Sequence, residues 1–441
     1  MATSEAKGKF ANVARGAFNG LYRVFRAGGR RNEVLFVSRK ADAPSYDYLE
    51  CGAAFERYGM KPVYLSSHFK GSSTLGYAGM VLKELYHLAR CKVCVIDRYD
   101  PVVSMLNFKC EEEPHSNAAH NELPVEPVVV QLWHAFGAFK KFGFQSLDVA
   151  EGHSSAEAEQ FQIHRNNSWV VCSGEGAREA FAEAFGCPLE RVVPLSRPEY
   201  RKIIQLRNQL AGVGEAVDAA AQRAGAGSTC SVAAQFVASA SGAAAGSSVG
   251  DAAAAQHSAK PIVMFAPTIR KYDRAMNPFE DLKRNGFEAY YAQGYNVQWS
   301  DHPLVAGADA KGDVPEGLLY SQVVVTDYSS IVYEAYLLNK MVCFYIPDVE
   351  HYKVSPGLNI NPEELCPGLV AKTELELAEK LQAFVASPES YPWQELENFV
   401  GDAFTGSGSD PAADLVRFLD EKYPGLLGAP APKAQPCSAE A

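Results

Sequence analysis

Short apolar runs alternate with amphipathic stretches along most of this chain, a pattern typical of α/β proteins. In the first half, runs rich in Val, Ile and Leu predict six strands, at 33–38, 61–66, 92–97, 127–133, 169–173 and 192–195. In the second half, similar runs predict four more, at 262–266, 295–299, 323–327 and 342–346. Helical periodicity appears between the strands, at 46–58 and 75–89, and near the end, at 412–422. Strands that alternate with helices indicate βαβ units, so we predict a parallel sheet in each half.

The alternation stops at 211–260, where 33 of 50 residues are Ala, Gly or Ser. Such a segment has few large apolar side chains to offset the cost of ordering its backbone, although alanine favours helix. We therefore expect a flexible or partly helical insertion there. A chain of 441 residues exceeds the usual size of a single core, which favours two domains. The predicted units are an N-terminal helix (1–31), a Rossmann-like domain (32–205), the insertion (206–260), a second Rossmann-like domain (261–427) and a disordered tail (428–441).

Residues 8–28 repeat their apolar positions with the period of a helix. One predicted stripe contains Phe10, Val13, Ala14, Ala17, Phe18, Leu21, Val24 and Phe25. Residues 1–40 carry nine Lys or Arg and two Glu, a net charge of +7 in a chain whose total is −11. Two interpretations stay open: the helix packs on the first domain, or it lies as a basic amphipathic helix on anionic lipid.

The overall composition excludes several classes of protein. A net charge of −11 argues against general binding of nucleic acid. The ten cysteines are scattered, many of them inside apolar runs, as in a reduced cytoplasmic protein rather than a disulfide framework. There is no apolar run long enough to span a bilayer, and the N-terminus lacks the apolar block of a secretory signal. We therefore expect a cytoplasmic protein.

The strongest chemical signal follows the predicted strand at 127–133. His134 comes directly after this strand, and Gly137, Lys140 and Lys141 follow within seven residues. In open α/β folds, ligands bind at the carboxyl ends of the strands. A neutral imidazole beside cationic side chains suits the deprotonation of a hydroxyl next to a phosphate. A lone histidine in such a place is more often structural, but the grouping with Trp133, glycines and lysines favours catalysis.

Polar side chains also follow three strands of the second half. They are Thr268 and Arg270 after one strand, His302 after the next, and Thr326, Asp327, Ser329 and Ser330 at the end of a third. A guanidinium at Arg270 could bind phosphate oxygens through two hydrogen bonds, although a surface ion pair is the alternative. His302 could equally be a hydrogen-bonded structural residue. Either serine could cap the next helix, whose free N–H groups would form an anion site; capping alone explains a serine there about equally well.

In their order along the chain, these blocks resemble the CDP-glycerol glycerophosphotransferases, the teichoic-acid primases and polymerases of bacterial cell walls. That family has a WH-x-x-G-x-x-K-K-x-G block, matched by residues 133–143, and an AP-T-x-R block, matched by 266–270. Its HP dipeptide is matched by 302–303 and its TDYSS block by 326–330. A Tyr-x-Pro-Asp-x-Glu-x-Tyr stretch follows at 345–352. Together, the matched blocks and their surroundings span residues 126–370.

The resemblance implies a GT-B fold, in which two Rossmann-like domains face each other across a cleft. The first domain would take the acceptor and the second would take CDP-glycerol. His134 would act as the general base on an acceptor hydroxyl, which attacks the glycerol-linked phosphorus and expels CMP. A second catalytic histidine, His302, would hold the pyrophosphate together with Arg270, Ser329 and Ser330, and these groups would offset the charge of the leaving group.

Further roles follow from the same resemblance. The donor side would include Thr268, Thr326 and Asp327, and the acceptor side Trp133 and Gly137, with Lys140 or Lys141 at an acceptor phosphate. Asp348 and Glu350 could reach ribose or glycerol hydroxyls, but solvated loop carboxylates are the more frequent reading of such residues.

The expected partners are CDP-glycerol or a related CDP-alditol, a lipid-linked acceptor or growing polyol-phosphate chain, and the inner surface of the cell membrane. CDP-ribitol stays possible, because Ser355-Pro356-Gly357 replaces an Arg-Gly pair that the family often carries after 345–352. No DxD-like metal site is evident, so we predict no obligatory metal or other cofactor. Two alternatives remain: a GT-B glycosyltransferase that uses a nucleotide sugar, and a catalytically silent membrane-associated partner.

Overall fold

The computed structural model describes residues 4–40, 42–67, 74–108, 124–150, 152, 154–223, 260–268, 270, 277–300 and 316–428. These residues form two parallel sheets, one in each half of the chain, with helices packed on both faces of the first sheet.

The first sheet has six parallel strands in the order β2-β1-β3-β4-β5-β6. Their bounds are β1 (Glu33–Ser38), β2 (Lys61–Ser66), β3 (Val93–Ile96), β4 (Val128–Gln131), β5 (Trp169–Cys172) and β6 (Val192–Pro194). All six predicted strands are confirmed, with ends that differ by no more than two residues. Strands β1, β3, β4 and β5 are buried along their whole length, which explains why their sequences are continuous apolar runs.

Among the described residues of this half, seven α-helices are present. They are α1 (Ser4–Arg26), α2 (Tyr46–Glu56), α3 (Thr74–Leu88), α4 (Pro101–Met105), α5 (Ser155–Phe161), α6 (Arg178–Phe185) and α7 (Glu199–Arg223). Alternate residues of β1 point to opposite faces of the sheet, so Phe36 packs with α2 while Leu35 packs with α1, α3 and α4. Helix α7 crosses the boundary predicted at 205 and 206, and its Ile203 enters the core of the second half. The insertion is therefore helical up to Arg223; 224–259, predicted to be flexible, lie outside the described residues.

The second sheet has five parallel strands in the order β11-β10-β9-β7-β8. Their bounds are β7 (Ile262–Ala266), β8 (Asn296–Trp299), β9 (Val323–Thr326), β10 (Met341–Tyr345) and β11 (Val370–Ala371). The four predicted strands are confirmed, whereas β11 is too short to leave a periodic signal. The helices here are α8 (Pro278–Arg284), α9 (Phe287–Tyr291), α10 (Glu316–Tyr320), α11 (Ile331–Leu337), α12 (Val349–Val354), α13 (Pro362–Leu365), α14 (Glu374–Ala386) and α15 (Trp393–Val400).

The last described helix, α16 (Pro411–Lys422), returns to the first domain. It packs against α2, and its Leu415 and Leu419 share a core with Phe36 of β1. Just beyond it, the hydroxyl of Tyr423 accepts a hydrogen bond of 3.1 Å from the indole N–H of Trp169. The prediction that 261–427 form one domain is therefore wrong at its end, because the periodicity of a helix does not indicate which domain its apolar face contacts. The predicted disordered tail lies mostly outside the described residues.

Helix α1 has two apolar faces rather than the single stripe that its sequence predicts. One face packs on the first domain through Phe18, Tyr22 and Phe25. The other is exposed and carries Val13, Leu21 and Val24, at 72%, 39% and 67% exposure. Two arginines at and just beyond the end of α1, Arg26 and Arg30, also donate hydrogen bonds to backbone carbonyls of the first half. None of the helices in the described part of the chain is both long enough and apolar enough to cross a bilayer.

The two parallel sheets with their helices have the GT-B-like architecture that the resemblance implies. Helix α11 follows β9, and its Tyr333 lies against Gly137, which follows β4. The expected α/β fold with two Rossmann-like domains is confirmed.

Candidate functional site

Each sheet has a point where its strand order reverses, and in α/β folds ligands bind at such switch points. In the first sheet the reversal lies between β1 and β3, since β2 flanks β1 on one side and the chain returns to its other side. The hydroxyl of Ser38, at the end of β1, donates a hydrogen bond of 2.8 Å to the carboxylate of Asp97, which follows β3. This bond joins the two loops that border the crevice.

In the second sheet the reversal lies between β7 and β9. The backbone N–H of Thr268 donates to the carboxylate of Asp327 at 2.8 Å, and the hydroxyl of Thr326 donates to the carbonyl of Ala266, also at 2.8 Å. The predicted donor residues Thr268, Thr326 and Asp327 therefore meet at one switch point. Their described hydrogen bonds connect the two loops to each other, and contact with a donor stays a prediction.

His134 lies beside the first switch point, and a backbone carbonyl holds one nitrogen of its imidazole ring. Nδ1 of the imidazole is 3.1 Å from the carbonyl oxygen of Asp97. A carbonyl oxygen only accepts, so the hydrogen of the neutral ring belongs on Nδ1. Nε2 then keeps its lone pair. The residue as a whole is exposed to solvent. This is the arrangement that a general base requires.

The backbone around His134 is ordered by a buried amide. The side chain of Gln131 donates to the carbonyl of Arg98 at 3.1 Å and accepts from the N–H of Trp133 at 3.0 Å. Trp133 has a φ of 57°, in the left-handed region that costs a bulky residue free energy. Its indole stacks on the ring of Phe142 with centroids 4.9 Å apart, and this packing offsets the backbone strain.

The electrostatic surroundings favour a neutral imidazole. Enclosure by the surrounding protein lowers the pKa of His134, and the positive charges of Arg98, Lys40 and Arg197 lower it further, against the opposing hydrogen bond to Asp97. The residue is nevertheless exposed to solvent, which moderates the effect of enclosure. At neutral pH the imidazole is therefore uncharged and able to accept a proton.

The predicted acceptor lysines lie at the junction of the two domains. Lys140 forms an isolated antiparallel bridge with Leu358, and the backbone N–H of Lys141 donates to the carbonyl of Gly357 at 2.9 Å. Phe139, just before them, enters the core of the second domain. This part of the block thus connects the loop of His134 to the donor half. The charges that act on His134 come instead from Arg98, Lys40 and Arg197; a role for the lysines at an acceptor phosphate stays a prediction.

Arg270 is buried in a network of carboxylates and aromatic rings. Its guanidinium lies 2.9 Å from a carboxylate oxygen of Asp327 and 2.8 Å from one of Asp348, and it packs 4.8 Å from the ring of Tyr352. The hydroxyl of Tyr328 donates to the other oxygen of Asp348 at 2.9 Å. Burial disfavours the charged guanidinium, but the two aspartates outweigh it and raise the pKa of Arg270.

The alternative prediction, that Asp348 is a solvated loop carboxylate, is therefore wrong, because its side chain is buried in an ion pair with Arg270. It is confirmed for Glu350, whose side chain is exposed. Whether Arg270 also touches a pyrophosphate stays a prediction.

Ser329 and Ser330 are half-buried at the start of α11. The hydroxyl of Ser329 accepts from the backbone N–H of Ile331 at 3.4 Å, whereas the side chain of Ser330, at the capping position, makes no capping bond. Their proposed contact with phosphate stays a prediction. His302 lies outside the described residues.

Sequence reasoning missed an acidic group that faces the first domain from the second. Burial raises the pKa of Glu334 on α11 to about 8, and the nearby charge of Glu199 contributes. One of its carboxylate oxygens is buried without a hydrogen-bond partner among the described residues. Arg197, whose charge acts in the opposite sense, is paired with Asp47 at 2.9 Å and with Glu199. In the sequence, the only signal for Glu334 was that a charged residue lies close to a strand end or a helix start.

Within the described ranges, no group of three or more His, Cys, Asp or Glu side chains is placed to hold a metal ion. Whether the protein needs a metal or another cofactor stays a prediction.

The chain is similar to proteins described as glycerophosphotransferases and as teichoic acid primases and polymerases. The family model described as CDP-glycerol:poly(glycerophosphate) glycerophosphotransferase matches residues 246–401. A teichoic acid poly(ribitol-phosphate) polymerase of Bacillus spizizenii is 24% identical over 432 residues, which cover 92% of this chain but only 60% of that relative. A teichoic acid ribitol-phosphate primase of the same organism is 24% identical over 431 residues, 92% of this chain and 96% of the relative. A teichoic acid glycerol-phosphate primase of Bacillus subtilis is 22% identical and covers 68% of each chain.

Among solved structures, the wall teichoic acid polymerase TagF has the same fold. Its TM-score is 0.61 at 14% sequence identity, and the match covers 95% of this chain and 98% of the TagF chain. A TagF variant soaked with CDPG matches with a TM-score of 0.60, also at 14% identity, and covers 95% of this chain and 97% of the variant.

Proposed function

We propose that this chain is a member of the CDP-glycerol:poly(glycerophosphate) glycerophosphotransferase family, and that it transfers a polyol phosphate from a CDP-activated donor to an acceptor hydroxyl and releases CMP. The observation that carries this proposal is the hydrogen bond between Nδ1 of His134 and the carbonyl of Asp97. It leaves Nε2 as a proton acceptor at one switch point, opposite a second switch point that suits a nucleotide.

The reaction begins with the acceptor hydroxyl at His134. Nε2 takes the proton as the hydroxyl oxygen attacks the phosphorus that bears the polyol. The bond from this phosphorus to the bridging oxygen breaks, and CMP leaves with that oxygen. Ser329, Ser330 and His302 bind the pyrophosphate and stabilise the charge that develops on CMP. Arg270 pairs with Asp327 and Asp348 and thereby holds both aspartates in position at the donor site.

The donor is CDP-glycerol or CDP-ribitol, and the product is a teichoic-acid-like polymer. The family model refers to glycerophosphate, while two of the relatives are ribitol-phosphate enzymes. The TagF variant soaked with CDPG shares the fold, which supports a CDP-alditol as the donor. The acceptor is a lipid-linked saccharide or a growing polyol-phosphate chain.

A direct assay tests this proposal. The purified chain is incubated with a lipid-linked acceptor and, in parallel, with CDP-glycerol, CDP-ribitol or a UDP-sugar. We expect CMP and a phosphodiester-linked product from one of the two CDP-alditols. Release of UDP without CMP would instead identify a glycosyltransferase. Turnover of none of the donors, with retained binding of a CDP-alditol, would identify a catalytically silent partner.

The membrane surface is the second proposed partner, because the acceptor is lipid-linked. The exposed face of α1 (Val13, Leu21 and Val24) lies in the basic segment 1–40, whose net charge is +7. Helix α3, which packs against α1, also exposes Tyr77 and Leu82. Apolar side chains beside positive charge fit a bilayer that contains anionic lipid, such as the inner face of the cell membrane.

A further inference from the structure

We infer that Arg98 and Lys40 form a subsite for a phosphate of the acceptor, next to the hydroxyl that His134 deprotonates. The subsite deepens the proposed function and rests on it, since it assigns the chemical class of the acceptor at the same site. An acceptor that ends in a polyol phosphate would fit it, and one that ends in a neutral sugar would not.

The two cations occupy equivalent places on either side of the first switch point. Lys40 lies two residues after the end of β1, and Arg98 lies two residues after the end of β3. The bond between Ser38 and Asp97 brings these loops together. Because the carbonyl of Asp97 holds the imidazole of His134, Arg98 is the next residue along the chain from the group that orients the base.

Three cations lower the pKa of His134: Arg98, Lys40 and Arg197. Of these, Arg197 already has carboxylate partners. It is paired with two carboxylates, those of Asp47 and Glu199, and it packs 5.0 Å from the ring of Phe136. Its guanidinium therefore already has carboxylate partners in the first half of the chain.

In the part of the chain that the structure describes, the guanidinium of Arg98 uses only one of its nitrogens in an ion pair. Its Nε lies 3.1 Å from one carboxylate oxygen of Asp97, whose other oxygen accepts from Ser38. Among the residues that the structure describes, none accepts a hydrogen bond from the two terminal amino groups of Arg98, and the side chain is 27% exposed. A guanidinium with two available amino groups matches the geometry of a phosphate.

Lys40 adds a second positive charge that is half-buried. Burial lowers the pKa of its amine, and the charges of Arg98 and Arg197 lower it further, against the opposing charges of Asp97 and Glu199. A bound phosphate would add a favourable charge interaction with Lys40 to the hydrogen bonds that it accepts from Arg98.

The same anion would affect the base. Both cations lower the pKa of His134, so a phosphate between them would raise its basicity. The imidazole would then become an effective base when an acceptor is present, and attack of water on the donor would be disfavoured. The attacking hydroxyl must lie only a few bonds from the phosphate, as in a terminal polyol phosphate. In a saccharide acceptor, the sugar hydroxyl that reacts is farther from the diphosphate of the lipid.

The test compares two acceptors at saturating donor, one ending in a glycerol phosphate unit and one ending in a neutral disaccharide. For Arg98→Gln and Lys40→Gln we expect the KM of the phosphate-ending acceptor to rise about tenfold or more, the range of one charge-assisted hydrogen bond. The KM of the disaccharide acceptor and the affinity for CDP-glycerol should not change. The acid limb of the kcat/KM profile should move to higher pH in Arg98→Gln, because removal of a positive charge raises the pKa of His134. Arg284→Gln, on an exposed ion pair of α8, is the matched control.

Binding without turnover separates this inference from the proposed reaction. Calorimetric titration with oligo(glycerol phosphate), and with glycerol as the neutral control, needs no donor. A loss of about tenfold in affinity in Arg98→Gln supports the subsite even if no CMP is ever released. Equal affinity for the wild type and Arg98→Gln, or equal changes in KM for both acceptors, would overturn it.

Discussion

Gly137, in the loop that carries His134, lies directly against the side chain of Tyr333 in the donor domain. A Cβ atom at position 137 would overlap the phenol ring of Tyr333 on α11. The absence of a side chain therefore lets α11 contact the segment that follows β4. Because Ser329 and Ser330 directly precede α11, this contact sets the separation between the proposed base and the proposed pyrophosphate site.

Gly137→Ala should push the two domains apart at this contact. Overpacking of a close contact typically costs about 1–3 kcal/mol of unfolding free energy, which chemical denaturation measures. We also expect the transfer rate to fall more than the affinity for the CDP donor. Gly16→Ala is the matched control, since no atom lies within 4 Å of its Cβ and an exposed helical glycine gains up to about 1 kcal/mol on replacement by alanine. Equal behaviour of the two variants would contradict the contact.

Glu334 should make stability depend on pH. Its folded pKa is about 8, above the ordinary value of 4.5, so between these values the folded state holds a proton that the unfolded state has lost. The free energy of unfolding should therefore fall as pH rises from 4.5 to 8 and then level off. Because the side chain keeps some contact with water, we expect a fall of about 1–3 kcal/mol, less than the ideal 1.4 kcal/mol per pKa unit.

Glu334→Gln should remove this slope, while Glu421→Gln, an exposed position on α16, should keep it. Denaturation at several pH values measures both. The same slope in wild type and Glu334→Gln would show that the carboxyl is ionised at neutral pH.

Arg270→Lys should lower stability and donor binding together. Lysine keeps the charge but cannot reach Asp327 and Asp348 at once, which should cost about 1–3 kcal/mol of unfolding free energy. Arg284→Lys, on an exposed ion pair, should change it by less than about 0.5 kcal/mol. If Arg270→Lys loses CDP-glycerol binding at full stability, Arg270 is a direct ligand of the donor rather than a support for the aspartates.

The exposed face of α1 should control binding to anionic vesicles. Combined replacement of Val13, Leu21 and Val24 by Gln leaves the core-facing side of the helix intact, so the fold should persist. Co-sedimentation with vesicles that contain phosphatidylglycerol should decrease strongly. Leu375→Gln, an exposed apolar residue of the second domain, is the control. Unchanged co-sedimentation of the triple variant would exclude this face as the membrane contact.

The strands were predictable from the sequence because nearly all of them are continuous apolar runs, a local property. The position of α16 was not, since its apolar face has the same periodicity whichever domain it contacts. The two faces of α1 were merged into one stripe for a similar reason: Val24 and Phe25 are equally apolar, and only packing distinguishes them.

The candidate site shows the same difference between residues marked by a local pattern and residues whose role depends on tertiary packing. His134 was identifiable because it directly follows a strand and lies in a distinctive block. Arg98 was not, because its importance comes from strand order, which places β3 beside both β1 and β4. Glu334 was missed because its environment is created by residues of the other domain, more than a hundred positions away.

The role of His134 as the base is the central claim, and the rate of CMP release tests it most directly. Rapid-quench measurements at saturating CDP donor and acceptor would compare the wild type with His134→Ala, with the affinity for the CDP donor measured in parallel. Loss of a general base lowers the rate by about 10²–10⁴-fold, and donor affinity should stay within about twofold of the wild type. A normal rate of CMP release and product formation in His134→Ala would contradict the account.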